Sequence, residues 1–247
     1  MTKAWQRSAL AVRAVQCALL VAVGAGCSRP LLERAIAARG GSLTSLSRDV
    51  EADVHAGFPG SWTWRFDYRV PDLLRWTLET YGDEQSVAYD GTAVSFFLGS
   101  ARLAEAPPAL ADFRSQVRWL AVTTLDALSR RADVEVRELA PSELPAGFAS
   151  GLAVTYRDDG ARYALYFDAD DLLVAAEGPI ILPTIASGQM HAAYSEFGVA
   201  DGYRLPYRGR YTLDAQPFFD EKVVRYLPND PRLTPESFRG PPPVTTR

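Results

Sequence analysis

Histidine and cysteine are scarce in this chain of 247 residues, which contains two of each. Neither His55 nor His191 has a second histidine or a cysteine at the spacing of zinc ligands, so both are expected to be surface or turn residues. The acidic stretch at 167–171 lacks the central glycine and the closing glutamate of a calcium-binding loop. We therefore expect no metal site. Since dinucleotide and phosphate-binding glycine loops are also missing, we expect no cofactor.

The nucleophile turn Gly-x-Ser-x-Gly of acyl hydrolases is absent as well. Catalytic groups can converge in space without a sequence motif, so this absence weakens the hypothesis of an enzyme without removing it. Our prediction is a protein that is not an enzyme and has no catalytic residues.

The N-terminus has the pattern of a cleaved targeting segment. Three basic residues precede an apolar run at 15–23, which is too short to span a bilayer as a stable anchor. The run ends in GAGC, residues 24–27, which resembles the lipobox of bacterial lipoproteins. We predict a signal peptide over residues 1–26 and lipidation of Cys27, detectable as incorporated palmitate. The alternative is that Cys27 is an incidental thiol behind a plain secretory signal or an N-terminal membrane anchor.

Charge and cysteine content agree with a lipid anchor. No cysteine follows Cys27, so no disulfide can form within one mature chain. Removing residues 1–26 takes away three basic residues and no acidic ones, which changes the net charge from −4 to −7. An acidic surface argues against nucleic acid and against electrostatic docking onto anionic lipid, so membrane attachment is expected through Cys27. By analogy with lipoproteins, Ser28 favours the periplasmic face of the outer membrane.

Short alternating runs predict a mainly β protein. An amphipathic helix at 30–41 is followed by residues whose hydrophobicity alternates with a period of two, most strictly in WTWRFDYRV at 62–70. Asp-Gly pairs at 90–91, 159–160 and 201–202 favour tight hairpins. We predict about eleven antiparallel strands arranged as a meander.

One segment breaks the alternation, because apolar residues at 107–131 recur at intervals of three and four. This spacing predicts one long helix with a single apolar face. Arg118 and Asp126 exclude a membrane span, so the helix is expected to pack onto the sheet.

The last twenty residues, 228–247, contain six prolines. A tail of this composition cannot join a strand ladder and is predicted to be extended or disordered. Leu233 and Phe238 are the two residues that could hold part of it in place.

The segment YRVPDLLRWTLETYGDEQSVAYDGTAVSFFLG resembles the LolA/LolB superfamily of lipoprotein carriers and receptors. The match consists of a proline, an apolar residue and a tryptophan, then an Asp-Gly pair and two aromatic residues: Pro71, Leu74, Trp76, Asp90, Gly91, Phe96 and Phe97. The resemblance implies a mainly β (α+β) half-barrel over residues 43–227, a strongly curved antiparallel sheet. The long helix, and a short N-terminal helix within 27–42, would cover its concave face above an apolar cavity.

Two departures from the family pattern are visible. The carriers have a basic residue directly before the proline, which helps to hold the covering helices; this chain has Val70 there, with Arg69 one step earlier. The receptors present an apolar loop where this chain has the polar sequence YGDEQ, at 81–85.

The resemblance implies a membrane-anchored lipoprotein that binds a lipid or a lipoprotein acyl chain for transport in the cell envelope. The residues predicted to line the cavity are Trp62, Trp64, Phe66, Leu74, Trp76, Leu78, Phe96, Val117 and Leu120. For each of them plain core packing is the alternative. The alternative function is an anchored scaffold or accessory subunit whose half-barrel is filled by its own side chains and whose surface docks another envelope protein. The apolar stretch GPIILPT, at 178–184, is then a candidate docking or lid loop, or else a short buried edge segment.

Overall fold

The protein is built on one antiparallel sheet of thirteen strands in the computed structural model, which describes residues 29–80, 83–103, 113–182 and 186–242. The predicted signal peptide, Cys27 and the end of the C-terminal tail lie outside these ranges. The sheet is curved and open, as predicted for a half-barrel.

The strands follow one another along the chain as β1 (Ser45–Val54), β2 (Gly60–Arg69), β3 (Leu73–Thr80), β4 (Asp83–Tyr89), β5 (Val94–Leu98), β6 (Ala101–Arg102), β7 (Val134–Glu138), β8 (Ser150–Tyr156), β9 (Arg162–Phe167), β10 (Leu173–Leu182), β11 (Ala186–Ala200), β12 (Tyr203–Leu213) and β13 (Gln216–Pro228). The α-helices are α1 (Arg29–Ala38), α2 (Arg114–Thr124) and α3 (Asp126–Arg130). The sheet has more strands than the roughly eleven predicted, in part because β6 has two residues and cannot show a period.

Every neighbouring pair in the sheet is consecutive along the chain except one, the pair of β1 and β13 at its centre. The edge strands are β6 and β7, so the connection between them must pass from one edge of the sheet to the other. This connection carries α2 and α3, and α2 packs against β9 and β10. The predicted hairpins are confirmed; at the turn between β11 and β12, Asp201 and Gly202 both have positive φ, 47° and 85°.

The long helix predicted at 107–131 is interrupted. Within the described part of that range, α2 ends at Thr124 and α3 begins at Asp126, with Leu125 between them at a φ of 69°. Arg39 donates to the carbonyl oxygen of Thr124 at 2.5 Å, and the backbone N–H of Leu43 donates to Asp126 at 3.0 Å. Residues outside the helix therefore form hydrogen bonds with the two residues that flank the break. The helical period of the sequence could not predict these contacts. No helix in the described ranges is long and apolar enough to cross a bilayer.

The hydrophobic core lies on the concave side of the sheet, in separate clusters. The largest cluster joins the three α-helices to β7–β13 and includes Leu31, Trp119, Tyr156 and Phe167. Another lies under the start of α2 and contains Leu74, Val87, Phe113 and Val117. Space remains between the clusters, and this space is the candidate site.

The described part of the proline-rich tail packs against the outer face of the sheet. It contains a 3-10 turn at Pro235–Phe238, and Leu233 and Phe238 are both buried. Arg75, fully buried, donates to the carbonyl oxygens of Ser237 and Gly240. Its guanidinium lies 5.9 Å from the centre of the Phe238 ring. Residues 228–242 therefore follow a defined path, held at the two apolar positions that the sequence suggested.

Candidate functional site

A cavity of about 210 Å³ lies between the concave face of the sheet and α2. Its floor is formed by β1–β3 on one side and β10–β13 on the other, and Phe58, which is 58% exposed, lies at its rim. The lining residues are Arg48, Val54, Ala56, Phe58, Trp62, Trp64, Phe66, Trp76, Leu78, Gln116, Trp119, Leu120, Ile180, Leu182, Met190, Tyr211, Phe218, Phe219 and Glu221.

The strict alternation of β2 explains the aromatic floor. Side chains two residues apart in a strand share a face, so Trp62, Trp64 and Phe66 all point to the concave side. Register continues the pattern into β3, where Trp76 lies opposite Phe66 and Leu78 lies opposite Trp64.

The aromatic rings of the floor meet edge to face. The Trp64 ring centre is 6.1 Å from Phe66, 6.2 Å from Trp76 and 5.8 Å from Phe219, with interplanar angles of 68–85°. Edge-to-face contacts hold large rings at fixed angles instead of stacking them flat. The floor is therefore a rigid and uneven apolar surface.

The residues predicted to line the cavity separate into two groups. The structure brings Trp62, Trp64, Phe66, Trp76, Leu78 and Leu120 together at the cavity wall. Leu74, Phe96 and Val117 instead belong to the packed cluster around Phe113. Whether any of the nine contacts a ligand stays a prediction.

The sequence prediction missed the contribution of β10–β13 to the cavity. Tyr211, Phe218, Phe219 and Glu221 reach the floor because β13 returns to pair with β1, with Val50 opposite Val223. This pairing joins residues more than 170 positions apart, and no local period indicates it. Ile180, in the stretch proposed as a docking or lid loop, lies in β10 and is a buried wall residue, whereas its neighbour Ile181 is exposed.

An ion pair lies in the floor of this largely apolar cavity, whose lining also includes Gln116. Nη1 of Arg48 donates to Oε1 of Glu221 at 2.8 Å, and the hydroxyl of Tyr211 donates to the same oxygen at 2.7 Å. Burial by itself lowers the pKa of Arg48, but Glu221 and the neighbouring tyrosines raise it, and the net shift is upward. Burial, followed by the charge of Glu221, raises the pKa of Tyr211 well above its ordinary value. Arg48 therefore remains charged and Tyr211 remains protonated near neutral pH.

A second, smaller cavity of about 90 Å³ adjoins the first. Four residues line both cavities and so form the wall between them: Arg48, Trp119, Leu120 and Tyr211. The interior is thus divided into two chambers by two side chains from the sheet and two from α2.

Polar contacts fasten the helices over the cavity. Arg118 of α2 binds Asp158 and Asp159, each at 2.5 Å, in the hairpin between β8 and β9. The hydroxyl of Ser115 accepts a hydrogen bond of 2.7 Å from the backbone N–H of Ile181. Arg69, the basic residue near Pro71, instead donates to the carbonyl oxygen of Leu233 in the tail. In this chain Arg118 and Ser115 hold α2 over the cavity, whereas the basic residue that the family pattern suggested contacts the tail.

The described residues contain no cluster of three or more histidine, cysteine, aspartate or glutamate side chains placed to hold a metal ion. The nitrogen Nε2 of His55 lies 3.4 Å from Asp220, on the surface.

Several solved structures share this fold at low sequence identity. A LolA superfamily protein from Nitrosomonas europaea has a TM-score of 0.55 at 14% identity, covering 87% of this chain and 98% of that one. A DUF1329 family protein from Desulfovibrio piger has a TM-score of 0.52 at 11% identity, covering 85% and 96%. A domain from Vibrio parahaemolyticus, assigned to outer membrane lipoprotein sorting, has a TM-score of 0.52 at 11% identity, covering 84% and 95%. No family model and no curated protein sequence matches the chain. The chain therefore has a LolA/LolB-like fold.

Proposed function

We propose that this protein is a lipid-anchored lipoprotein of the bacterial envelope that binds a lipid, or the acyl chain of a lipoprotein, for transport. The observation that carries the proposal is the apolar cavity of about 210 Å³ between the aromatic floor and α2. Similarity to a LolA superfamily protein and to a lipoprotein-sorting domain supports the same class of ligand.

The size of the cavity suits an apolar guest. An apolar cavity of about 150 Å³ stays dry and accepts benzene, so one of about 210 Å³ has room for a longer hydrocarbon segment. Each CH₂ group moved from water into such a site contributes about 0.8 kcal/mol. A segment of several CH₂ groups is thus enough for micromolar affinity before the cost of ordering the chain.

The cavity also weighs against the alternative function. A scaffold with a self-filled half-barrel requires side chains in the space between the floor and the helix, whereas the described side chains leave that space open. An envelope protein partner remains a prediction, and a carrier that delivers a lipid would also need one.

The test of lipid binding uses protein that begins at Ser28 and so contains every residue described. We expect lipid to co-purify in native mass spectrometry, and a fluorescent fatty acid to bind at micromolar concentration. If neither is observed, the carrier proposal fails.

The anchor is tested separately in cells with the full chain. We expect radiolabelled palmitate to be incorporated and the label to disappear in Cys27→Ala. Label that persists in the variant would overturn lipidation at this residue. Fractionation of the labelled protein into inner and outer membranes tests the proposed location in the outer membrane.

A further inference from the structure

The ion pair in the cavity floor has no obvious structural purpose. Arg48 and Glu221 are the only charged residues among the described residues that line the larger cavity. Replacing a buried ion pair by apolar groups of similar volume is often neutral or stabilising, so stability alone is a weak reason for the pair. A polar group in an apolar binding site more often fixes the orientation of the ligand.

Arg48 and Glu221 differ in how much of their hydrogen-bonding capacity is already used. Glu221 is 3% exposed, and its Oε1 accepts hydrogen bonds from Arg48 and Tyr211. The side chain of Arg48 is 15% exposed and lines both chambers. A guanidinium carries five N–H donors, so its bonds to Glu221 and to the hydroxyl of Tyr226 leave donors that can reach a guest. The free hydrogen-bonding capacity of the pair therefore lies on the arginine.

Two indole nitrogens lie behind the same wall and do not face its open space. The Nε1 atoms of Trp64 and Trp76 are buried and have no hydrogen-bond partner among the described residues. Both side chains line the larger cavity, and Trp76 lies opposite Phe66, the ring on which Arg48 stacks at 4.8 Å. An indole N–H is a donor only. Because these indole donors are out of reach, the charged donor that the wall offers a guest is the guanidinium of Arg48.

The charge of the guest decides which hydrogen-bond acceptor can bind favourably at this wall. The pair of Arg48 and Glu221 is neutral as a whole, so a carboxylate guest would bring a second negative charge close to Glu221 in a desolvated site. A neutral ester carbonyl accepts hydrogen bonds without adding charge.

We infer that Arg48 recognises the ester carbonyl of an acylated ligand, with the acyl chain in the larger cavity. This inference rests on the proposed function and specifies the ligand class as esterified acyl chains in preference to free fatty acids. The carbonyl lies at the wall shared by the two chambers, so the alcohol side of the ester can enter the smaller chamber.

The test compares three small guests of equal heavy-atom number: nonane, methyl hexanoate and heptanoic acid. Each displaces a neutral fluorescent naphthylamine from wild-type protein and from R48M/E221Q, in which both charges are removed together. We expect the ratio of ester affinity to alkane affinity to fall by about tenfold to a hundredfold in the variant, the loss of a hydrogen bond to a charged donor. The alkane reports any change in the apolar cavity itself, so the affinity ratio isolates the contact with the carbonyl.

Other outcomes separate the two proposals. If no guest binds wild-type protein, the proposed function fails. If the alkane binds but the affinity ratio is unchanged in the variant, or if the acid binds wild-type protein more tightly than its ester, only the inference about Arg48 fails.

A second measurement does not depend on the folding of the variant. Methyl hexanoate labelled with ¹³C at the carbonyl, bound to wild-type protein, should show a carbonyl stretch at lower frequency than the same ester in alkane solvent. A frequency equal to that in alkane would overturn the inference.

Discussion

Nη2 of Arg39 lies 2.6 Å from Oδ2 of Asp126, and both side chains are buried, at 9% and 2% exposure. The ion pair joins the residue after α1 to the first residue of α3. The same arginine also donates to Thr124, and the same aspartate accepts from the backbone of Leu43. One pair of side chains therefore fixes both the break in the covering helix and the entry of the chain into β1.

Arg39→Met is expected to lower the free energy of unfolding by about 3–5 kcal/mol, because it leaves Asp126 as a buried charge without its partner. Arg34→Met is the matched control. Arg34 belongs to α1 itself and pairs with Asp171 at 2.9 Å, but that pair is exposed, so its loss should change stability by less than about 1 kcal/mol. Urea unfolding of both variants measures the difference, and equal values would contradict the role given to Arg39.

Leu120→Trp is expected to obstruct the larger cavity. Leu120 lies on α2 and lines both chambers, so an indole at this position would occupy space that a guest needs. The affinity for a fluorescent fatty acid should fall by about tenfold or more. Val199→Trp adds the same ring at a position that is 71% exposed and should leave binding unchanged. Similar affinities for the two variants would mean that ligands bind elsewhere.

The difference between core and cavity wall can be measured with two leucines of β3. Leu74→Ala removes a fully buried side chain from a packed cluster and should cost about 2–5 kcal/mol of stability. Leu78→Ala removes a partly buried side chain that already borders empty space, so its cost should be smaller. It should also enlarge the cavity and favour bulkier guests. Urea unfolding measures the loss of stability in each variant, and binding of a fluorescent fatty acid measures the change in the cavity. An equal loss of stability would contradict the assignment of Leu78 to the cavity wall.

Local periodicity was enough to predict a meander of antiparallel strands and part of the cavity wall, whereas the resemblance to the LolA/LolB superfamily supplied the curvature of the sheet. The alternation from Trp62 to Val70 sets one face of β2 toward the interior, and that face is the floor of the cavity. A signal for Arg48 was also present, since it occupies an inward position between Leu46 and Val50. The prediction missed it because the alternation in that strand is loose.

Other features depend on contacts that no local pattern encodes. The pairing of β13 with β1 places Glu221 beside Arg48, although the two residues are 173 positions apart. At the break, Thr124 and Asp126 both bind Arg39, which precedes the whole sheet in sequence. Long-range pairing thus determined which residues share the cavity, whereas short-range pattern determined which face each strand presents to it.

The ion pairs between Arg118 of α2 and the hairpin between β8 and β9 should weaken in acid. The pKa of Asp159 lies below its ordinary value, first because of the hydrogen bond from Arg118 and then because of one from the backbone N–H of Ala161. A carboxyl group whose pKa is lower in the folded than in the unfolded state stabilises the fold above its ordinary pKa of about 4, and this contribution is lost as the pH falls through the lowered value. Asp159 is half exposed, which limits the contribution to about 0.5–1 kcal/mol.

Asp159→Asn should therefore destabilise the protein by that amount at pH 7, and the difference from wild type should shrink steadily between about pH 4 and pH 2. Asp201→Asn is the control, since Asp201 is an exposed turn residue between β11 and β12 at a positive φ that asparagine also tolerates. Urea unfolding across this pH range measures both variants. A loss of stability in Asp159→Asn that is the same at pH 7 and at pH 2 would show that the carboxylate charge does not hold the hairpin to α2. A loss confined to neutral pH would show that the ionised carboxylate of Asp159, beside that of Asp158, helps to hold the hairpin to α2.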